Sequence, residues 1–220
     1  MPEGTGENSL TYTAKPAEYK ASVVLPVLGE TSASKITYQY STDGGSTYKD
    51  GLPAAAGDYL IRASIPADGN YTEAQAAAPL TIRKKAVTIK LDDQSKIYGD
   101  SDPALTYKVE NDLEADPVKS EDLQITRTPG EKAGEYQITG TAAPKANSNY
   151  SYNVVPASGK DEACLTINKK AVTITAENKS KFYGEKDPDL TFKAEGDLEN
   201  DKVSDSDIAL TRAQGEEAGS

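Results

Sequence analysis

The sequence predicts a mainly β protein, a linear array of small β-sandwich modules, and three observations carry that prediction. Apolar residues recur with a period of two, turn-forming residues bound the runs, and one segment repeats along the chain at a fixed offset. Strict alternation places one face of a strand on a core and the other in water. A repeat length near 85 residues is enough for seven or so short strands, which fits an Ig-like sandwich.

The repeat organises everything else. Lys84-Lys85-Ala86-Val87-Thr88-Ile89 recurs as Lys169-Lys170-Ala171-Val172-Thr173-Ile174, an offset of 85 residues. The same offset joins Tyr98-Gly99 to Tyr183-Gly184, Asp102-Pro103 to Asp187-Pro188, and Thr126-Arg127 to Thr211-Arg212. Residues 84–135 and 169–220 align without a gap, with 28 identities in 52 positions, so they are tandem copies. The first segment starts differently but closes in the same way. Ala56-Gly57-Asp58-Tyr59-Leu60-Ile61 parallels Ala133-Gly134-Glu135-Tyr136-Gln137-Ile138, and Leu80-Thr81-Ile82 parallels Leu165-Thr166-Ile167. Asn70-Tyr71 likewise parallels Asn149-Tyr150. Three modules are therefore expected, at 1–83, 84–168 and 169–220. The last stops after 52 of its 85 residues. Its Val172, Ile174 and Phe192 are expected to lack cover, leaving the segment disordered, paired with another chain, or part of a longer protein.

Within a module, Val87, Ile89 and Leu91 alternate with Thr88 and Lys90, and Leu105, Tyr107 and Val109 alternate with Thr106, Lys108 and Glu110. Tyr59 and Ile61, Leu80 and Ile82, Tyr136 and Ile138, and Leu165 and Ile167 show the same spacing. Ile36, Tyr38 and Tyr40, ahead of Asp43-Gly44-Gly45, read as one arm of a hairpin. A short helix is expected over 116–123, with a counterpart over 201–208 and Ser120 as its cap. That helix leaves a β-grasp-like module, one helix crossing a mixed sheet, as the alternative fold. Only Arg83-Lys84-Lys85 separates the closing strand of one module from the opening strand of the next, so little independent tumbling is expected.

Composition removes whole classes of chemistry. The chain has no histidine, so serine and cysteine triads and imidazole acid–base catalysis are excluded. Its net charge of −11 opposes nucleic acid and anionic lipid as partners. The modules carry −3, −4 and −4, so the acidity is a property of the repeating surface and marks no site. One cysteine, Cys164, cannot cross-link the chain, and beside no histidine and no second thiol it reads as a small core filler. The opening MPEGTGENSL has no apolar run and reads as no signal peptide. Met1 reads as an initiator on a segment outside which any export signal would lie, and no later stretch is long enough to insert in a membrane.

The residues just described resemble the MBG domain of the YG-containing type: Lys-Lys-Ala-Val-Thr-Ile, Tyr-Gly-x-x-Asp-Pro, Leu-Thr-Arg or Ile-Thr-Arg, Gly-Glu, Ala-Gly and Asn-Tyr across 84–168 and 169–220. Residues 9–83, with Tyr-Gln-Tyr-Ser-Thr-Asp-Gly-Gly and Ala-Gly-Asp-Tyr, are similar to related Ig-like repeats of bacterial surface proteins. The resemblance implies a repeating module of large secreted or wall-anchored bacterial proteins, adhesins among them. It implies no catalytic activity and brings no catalytic, cofactor or metal residues.

Several residues are candidates for sites. In Tyr98-Gly99-Asp100-Ser101-Asp102-Pro103 and its copy at 183–188, acidic side chains after a glycine turn suit calcium. However, Ser101 becomes Lys186, a cation where the metal would sit, so a glycine of positive φ with an aspartate capping the turn is preferred. The pairs Asp92-Asp93, Glu121-Asp122 and Glu216-Glu217 carry the residue type of glycosidases, but neighbours in a strand face opposite ways. Asn70-Tyr71-Thr72, Asn149-Tyr150-Ser151 and Asn178-Lys179-Ser180 match the N-glycosylation pattern, and the first two read as turns. Tyr38, Tyr40, Tyr48, Tyr150 and Tyr152 are candidates for a sugar platform, with packing the simpler role. A Lys–Asn isopeptide cross-link is a further idea. The functional expectation is a non-catalytic stalk segment of an exported, extracellular bacterial surface protein. Its partners are neighbouring modules of a longer chain, with no cofactor. A carbohydrate- or host-protein-binding module and an accessory region of a secreted glycoside hydrolase are the alternatives.

Overall fold

The computed structural model describes residues 9–19, 36–67, 72–215 and 217. It is mainly β, in several sheets that suit a sandwich-like fold, and no α-helix occurs among the described residues. The strands are β1 (Ser9–Thr11), β2 (Thr37–Ser41), β3 (Lys49–Asp50), β4 (Gly57–Ile65), β5 (Ala74–Arg83), β6 (Lys85–Leu91) and β7 (Gln94–Ile97). They continue as β8 (Tyr107–Glu110), β9 (Leu123–Arg127), β10 (Gly134–Ala142), β11 (Tyr150–Pro156), β12 (Ala163–Asn168), β13 (Thr173–Ala176) and β14 (Phe192–Glu195). By contacts the chain forms two compact units: residues 1–92, 105–126 and 138–163, and residues 93–104, 127–137 and 164–220.

In the first unit a five-stranded sheet runs β1-β5-β4-β2-β3. The hairpin expected at Ile36, Tyr38 and Tyr40 is present, with Tyr40 opposite Lys49. Its loop is tied by Ser41, whose buried hydroxyl accepts the N–H groups of Asp43 and Gly45 at 3.2 and 2.8 Å. The Asp43 carboxylate accepts from Thr47 N–H at 2.9 Å and Thr47 Oγ1 at 2.6 Å. A three-stranded sheet runs β11-β6-β8. Val87, Ile89 and Leu91 of β6 are buried at 0, 0 and 4 % exposure, while Ala86, Thr88 and Lys90 are not, so the alternation read from sequence is the alternation of burial. The core of this unit gathers Tyr12, Ile61, Leu80, Ile82, Val87 and Tyr150. The rings of Tyr12 and Tyr150 meet edge to face at 5.7 Å, the favoured aromatic geometry.

Among the described residues, β1 pairs parallel with β5, β6 with β11, and β7 with β12. Ser9 opposes Thr81 and Leu10 opposes Ile82, as Ser95 opposes Thr166 and Lys96 opposes Ile167. The N–H of Tyr12 then bonds Arg83 O at 2.9 Å, and that of Tyr98 bonds Asn168 O at 2.8 Å. The four-stranded sheet β7-β12-β10-β9 has the order of the first four strands of the five-stranded sheet. Ser9-Leu10-Thr11-Tyr12 therefore stands where Ser95-Lys96-Ile97-Tyr98 stands, a correspondence the sequence reading of the first segment did not contain.

In the second unit β13 pairs antiparallel with β14, Thr173 opposite Glu195, as Thr88 lies opposite Glu110 in the β6/β8 pair 85 residues earlier. The expected helix over 116–123 is a single 3-10 turn, Ser120–Asp122, and its counterpart over 201–208 holds a turn at 205–207 and no helix. Ser120 is not its cap. The buried Asp122 carboxylate instead reaches back to the N–H of Lys119 at 2.8 Å and also accepts the N–H of Asn147 at 2.8 Å. With two N–H groups of the loops served by one side chain, nothing favours extending the turn.

Candidate functional site

The Tyr-Gly loop is the most elaborated local feature, and it is built twice. In the first instance β7 delivers Lys96 to the sheet interior, and Gly99 turns the chain at φ +91, where a side chain is disfavoured. The turn closes by Asp100 N–H to Ile97 O at 3.0 Å. The sequence suggests an aspartate capping this turn, but Asp102 is spent on cations instead. Its Oδ1 accepts from Lys96 Nζ at 2.7 Å and its Oδ2 from Arg127 Nε at 2.7 Å. Glu131 completes the cluster, bonded to Lys96 Nζ at 2.6 Å and to the Arg127 guanidinium. The remaining Arg127 donor fastens the carbonyls of Thr128 and Gly130 at 2.9 and 2.6 Å.

The charges explain one another. Arg127 first and Lys96 second hold the Asp102 carboxyl at about 2, well below its ordinary 3.8. Asp102 and Glu131 raise Lys96, which keeps a lysine with a 4 % exposed side chain charged. The buried ammonium is thus paired with two carboxylates. Both oxygens of the carboxylate that a cation would need are taken by the protein's own cations. Among the described residues, no group of three or more acidic or thiol side chains is placed to hold a metal ion.

The second instance repeats the plan. Gly184 has φ +86, and Glu185 N–H closes the turn on Phe182 O at 3.1 Å. Asp187 binds Lys181 Nζ at 2.6 Å and Arg212 Nε at 2.7 Å, and Arg212 fastens the carbonyls of Ala213 and Gly215 at 2.8 and 2.9 Å. Its carboxyl is lowered to about 2 by Arg212 and then Lys181.

A second recurring contact joins a tyrosine to a downstream turn. In the first unit Tyr12 Oη donates to Asp116 Oδ2 at 2.7 Å; in the second, Tyr98 Oη donates to Asp201 Oδ2 at 2.7 Å. Both acceptors end the same turn, Asp112-Leu113-Glu114-Ala115-Asp116 and Asp197-Leu198-Glu199-Asn200-Asp201, which closes on itself through the bridges Leu113/Asp116 and Leu198/Asp201. The first aspartate of each turn accepts a later N–H, Val118 at 3.2 Å and Val203 at 3.1 Å. Leu113 packs against the core around Tyr12. Leu198 lies over Gly99 so closely that a Cβ there would come within 2.6 Å of it. Burial and then Asp116 raise the Tyr12 phenol to about 12, and Asp201 raises that of Tyr98. The sequence signal for this turn is Asp-Leu-Glu-x-Asp recurring at the repeat offset.

Of the other candidates, several bond within the fold. Asp92 accepts from Thr106 Oγ1 at 2.8 Å, while Asp93 accepts the N–H of Cys164 at 2.9 Å, so the adjacent carboxylates serve different strands. Glu121 is exposed and Asp122 is buried; Glu216 lies outside the described residues. Asn149 accepts the N–H of Ala56 at 2.8 Å through its amide oxygen, Asn178 is exposed, and Asn70 and Tyr71 lie outside the described residues. Cys164 is half-buried, at the start of β12. The tyrosines do not assemble into one platform. Tyr150 is buried, Tyr40 stacks edge to face on Tyr59 at 5.7 Å, Tyr38 on Tyr19 at 6.1 Å, and Tyr48 lies under the Arg62 guanidinium at 3.8 Å.

A mainly β, sandwich-like chain whose duplicated unit carries a Tyr-Gly loop, an ion clamp and an Asp-Leu-Glu-x-Asp turn is a tandem repeat protein. The chain belongs to the MBG domain (YGX type) family, whose model matches residues 87–158 and 172–220, more than half of its length. No curated protein matches it.

Proposed function

We propose that the chain is a non-catalytic structural segment of an exported bacterial surface protein, one that holds a distal binding domain away from the cell. The observation that supports this reading is where the repeated polar groups are spent. The Asp102 and Asp187 carboxylates are committed to clamps inside the fold, and the hydroxyls of Tyr12 and Tyr98 to the turn of a following segment. A repeat that devotes its recurring charges and hydroxyls to its own geometry is suited to transmit position along an array. Family membership supports a repeat module, and the even spread of negative charge supports a soluble, self-repelling surface.

The test is to display the full chain between a wall anchor and a reporter nanobody, alone or duplicated, and to measure the reporter's height above the cell. Height that grows with repeat number supports the stalk. No growth, together with retention of the isolated chain on a glycan or mucin array, would replace it with the binding-module reading. Hydrolysis of an offered polysaccharide by the isolated chain would replace it with an enzymatic one.

A further inference from the structure

We propose that the exposed loop Phe182-Tyr183-Gly184 is a docking surface for the Asp-Leu-Glu-x-Asp turn of a further repeat of this same type. The inference rests on reading the chain as stacked repeats and goes beyond it by naming the surface and its occupant. The precedent lies in the second unit itself. There the loop Ile97-Tyr98-Gly99 receives such a turn: Leu198 covers Gly99, and Asp201 takes the Tyr98 hydroxyl at 2.7 Å. Tyr12 in the first unit makes the same bond to Asp116, so the contact recurs where the sequence around the tyrosine has diverged.

The loop at 182–184 has the shape of the loop at 97–99. Its glycine has nearly the same φ, its turn is closed by the same backbone bond, and its base is fixed by the same Asp–Arg clamp. What differs is cover. Phe182 and Tyr183 are 80 and 79 % exposed, the two most exposed large hydrophobic residues of those described. A Cβ on Gly184 would meet nothing within 4 Å. An aromatic pair presented on a rigid turn, with an open glycine beside it and a phenol ready to donate, asks for an aliphatic side chain and a carboxylate at the spacing that Leu198 and Asp201 supply. Oligosaccharide on the exposed aromatic pair is the competing occupant.

The experiment extends the full chain. Ser220 stands in the repeat at the position of Glu135, so a copy of residues 136–220 placed after it continues the 85-residue period. Tyrosine nitration with peptide mapping is then compared in the 220-residue and extended chains. Tyr183, 79 % exposed, should react readily in the first and fall to the rate of Tyr98 in the second. Changing the appended copy's Asp201 to Asn and its Leu198 to Ala should restore its reactivity. A Tyr183 that reacts equally in both chains, while hydrogen exchange shows the appended strands protected, overturns the proposal. So do appended strands that stay unprotected, because the seated turn is what should order them. In the 220-residue chain, Leu198→Ala with Asp201→Asn should release Tyr98. If Tyr98 does not respond, the stacked reading itself fails; if Tyr98 responds and Tyr183 never does, only the docking proposal fails. Protection of Tyr183 in the 220-residue chain by a soluble oligosaccharide, without any in the extended chain, overturns it in favour of the sugar.

Discussion

Single residues show how little of this chain's polarity is spare. Asp102 is held at about 2 because Arg127 and Lys96 both need it, so the folded state keeps a carboxylate that the unfolded chain protonates near 3.8. A lowered folded value means the stability is fully present above the ordinary carboxyl range and is lost as pH falls, here between about pH 4 and 2. Asp102→Asn should lower the urea midpoint at neutral pH and flatten that acid fall, with Asp187 still supplying its own share. Tyr12 is a different kind of residue, 6 % exposed, with its hydroxyl on Asp116. Tyr12→Phe keeps the ring packed on Tyr150 and removes one hydrogen bond. Because Asn147 Nδ2 still donates to the same oxygen, at 2.7 Å, the expected loss is about 1 kcal/mol in urea denaturation.

Elements separate what a sequence can state from what only pairing decides. Alternation over Val87, Ile89 and Leu91 was enough to place β6 and its buried face, and Asp43-Gly44-Gly45 was enough to place a hairpin. Parallel partners were not legible. Nothing local in Lys85–Leu91 says that Tyr150–Pro156 lies beside it, because register between distant strands is set by the sheet as a whole. The equivalence of Tyr12 and Tyr98 was hidden for the same reason, since the backbone pairing recurs where Leu10 replaces the kind of residue that Lys96 is. The motif Tyr-Gly-x-x-Asp-Pro was legible as a turn, but its aspartate's partners were not, because Arg127 is 25 residues away on another strand.

Identical short sequences also behave differently by context. Ile89 is fully buried in a three-stranded sheet, while Ile174, its copy, is half-buried in a two-stranded one. Ile89→Ala should cost about 2–5 kcal/mol and Ile174→Ala clearly less, as read from hydrogen exchange in each strand. The two glycines part in the same manner. Gly99→Ala combines a left-handed backbone, about 1–2 kcal/mol, with displacement of Leu198, whereas Gly184→Ala carries the backbone penalty alone. Exchange protection across 197–203 should therefore fall in the first variant and persist in the second.

For the molecule as a whole, the repeat explains features that composition alone left neutral. The absent histidines and single cysteine belong to a module whose recurring groups are ion clamps, tyrosine hydroxyls and turn aspartates, none of which uses imidazole or thiol chemistry. The charge of −11 is distributed because the module is repeated, and the two YG copies pair Lys96 and Lys181 internally. The parallel pairing of β6 with β11 has a further consequence, a mechanical one. Pairing runs from Lys85 opposite Tyr150 to Leu91 opposite Pro156, so the chain enters β6 at one end of the pair and leaves β11 at the other. Tension applied along the backbone loads that ladder in shear, and its hydrogen bonds must yield together instead of unzipping one at a time. The antiparallel β13/β14 pair has its ends at the same side of a hairpin-like ladder and would peel. Pulled from its termini in a single-molecule experiment, the chain should give one high rupture force from the β6/β11 segment and a much lower one from residues 173–195. Equal forces for the two would show that strand direction does not govern its resistance.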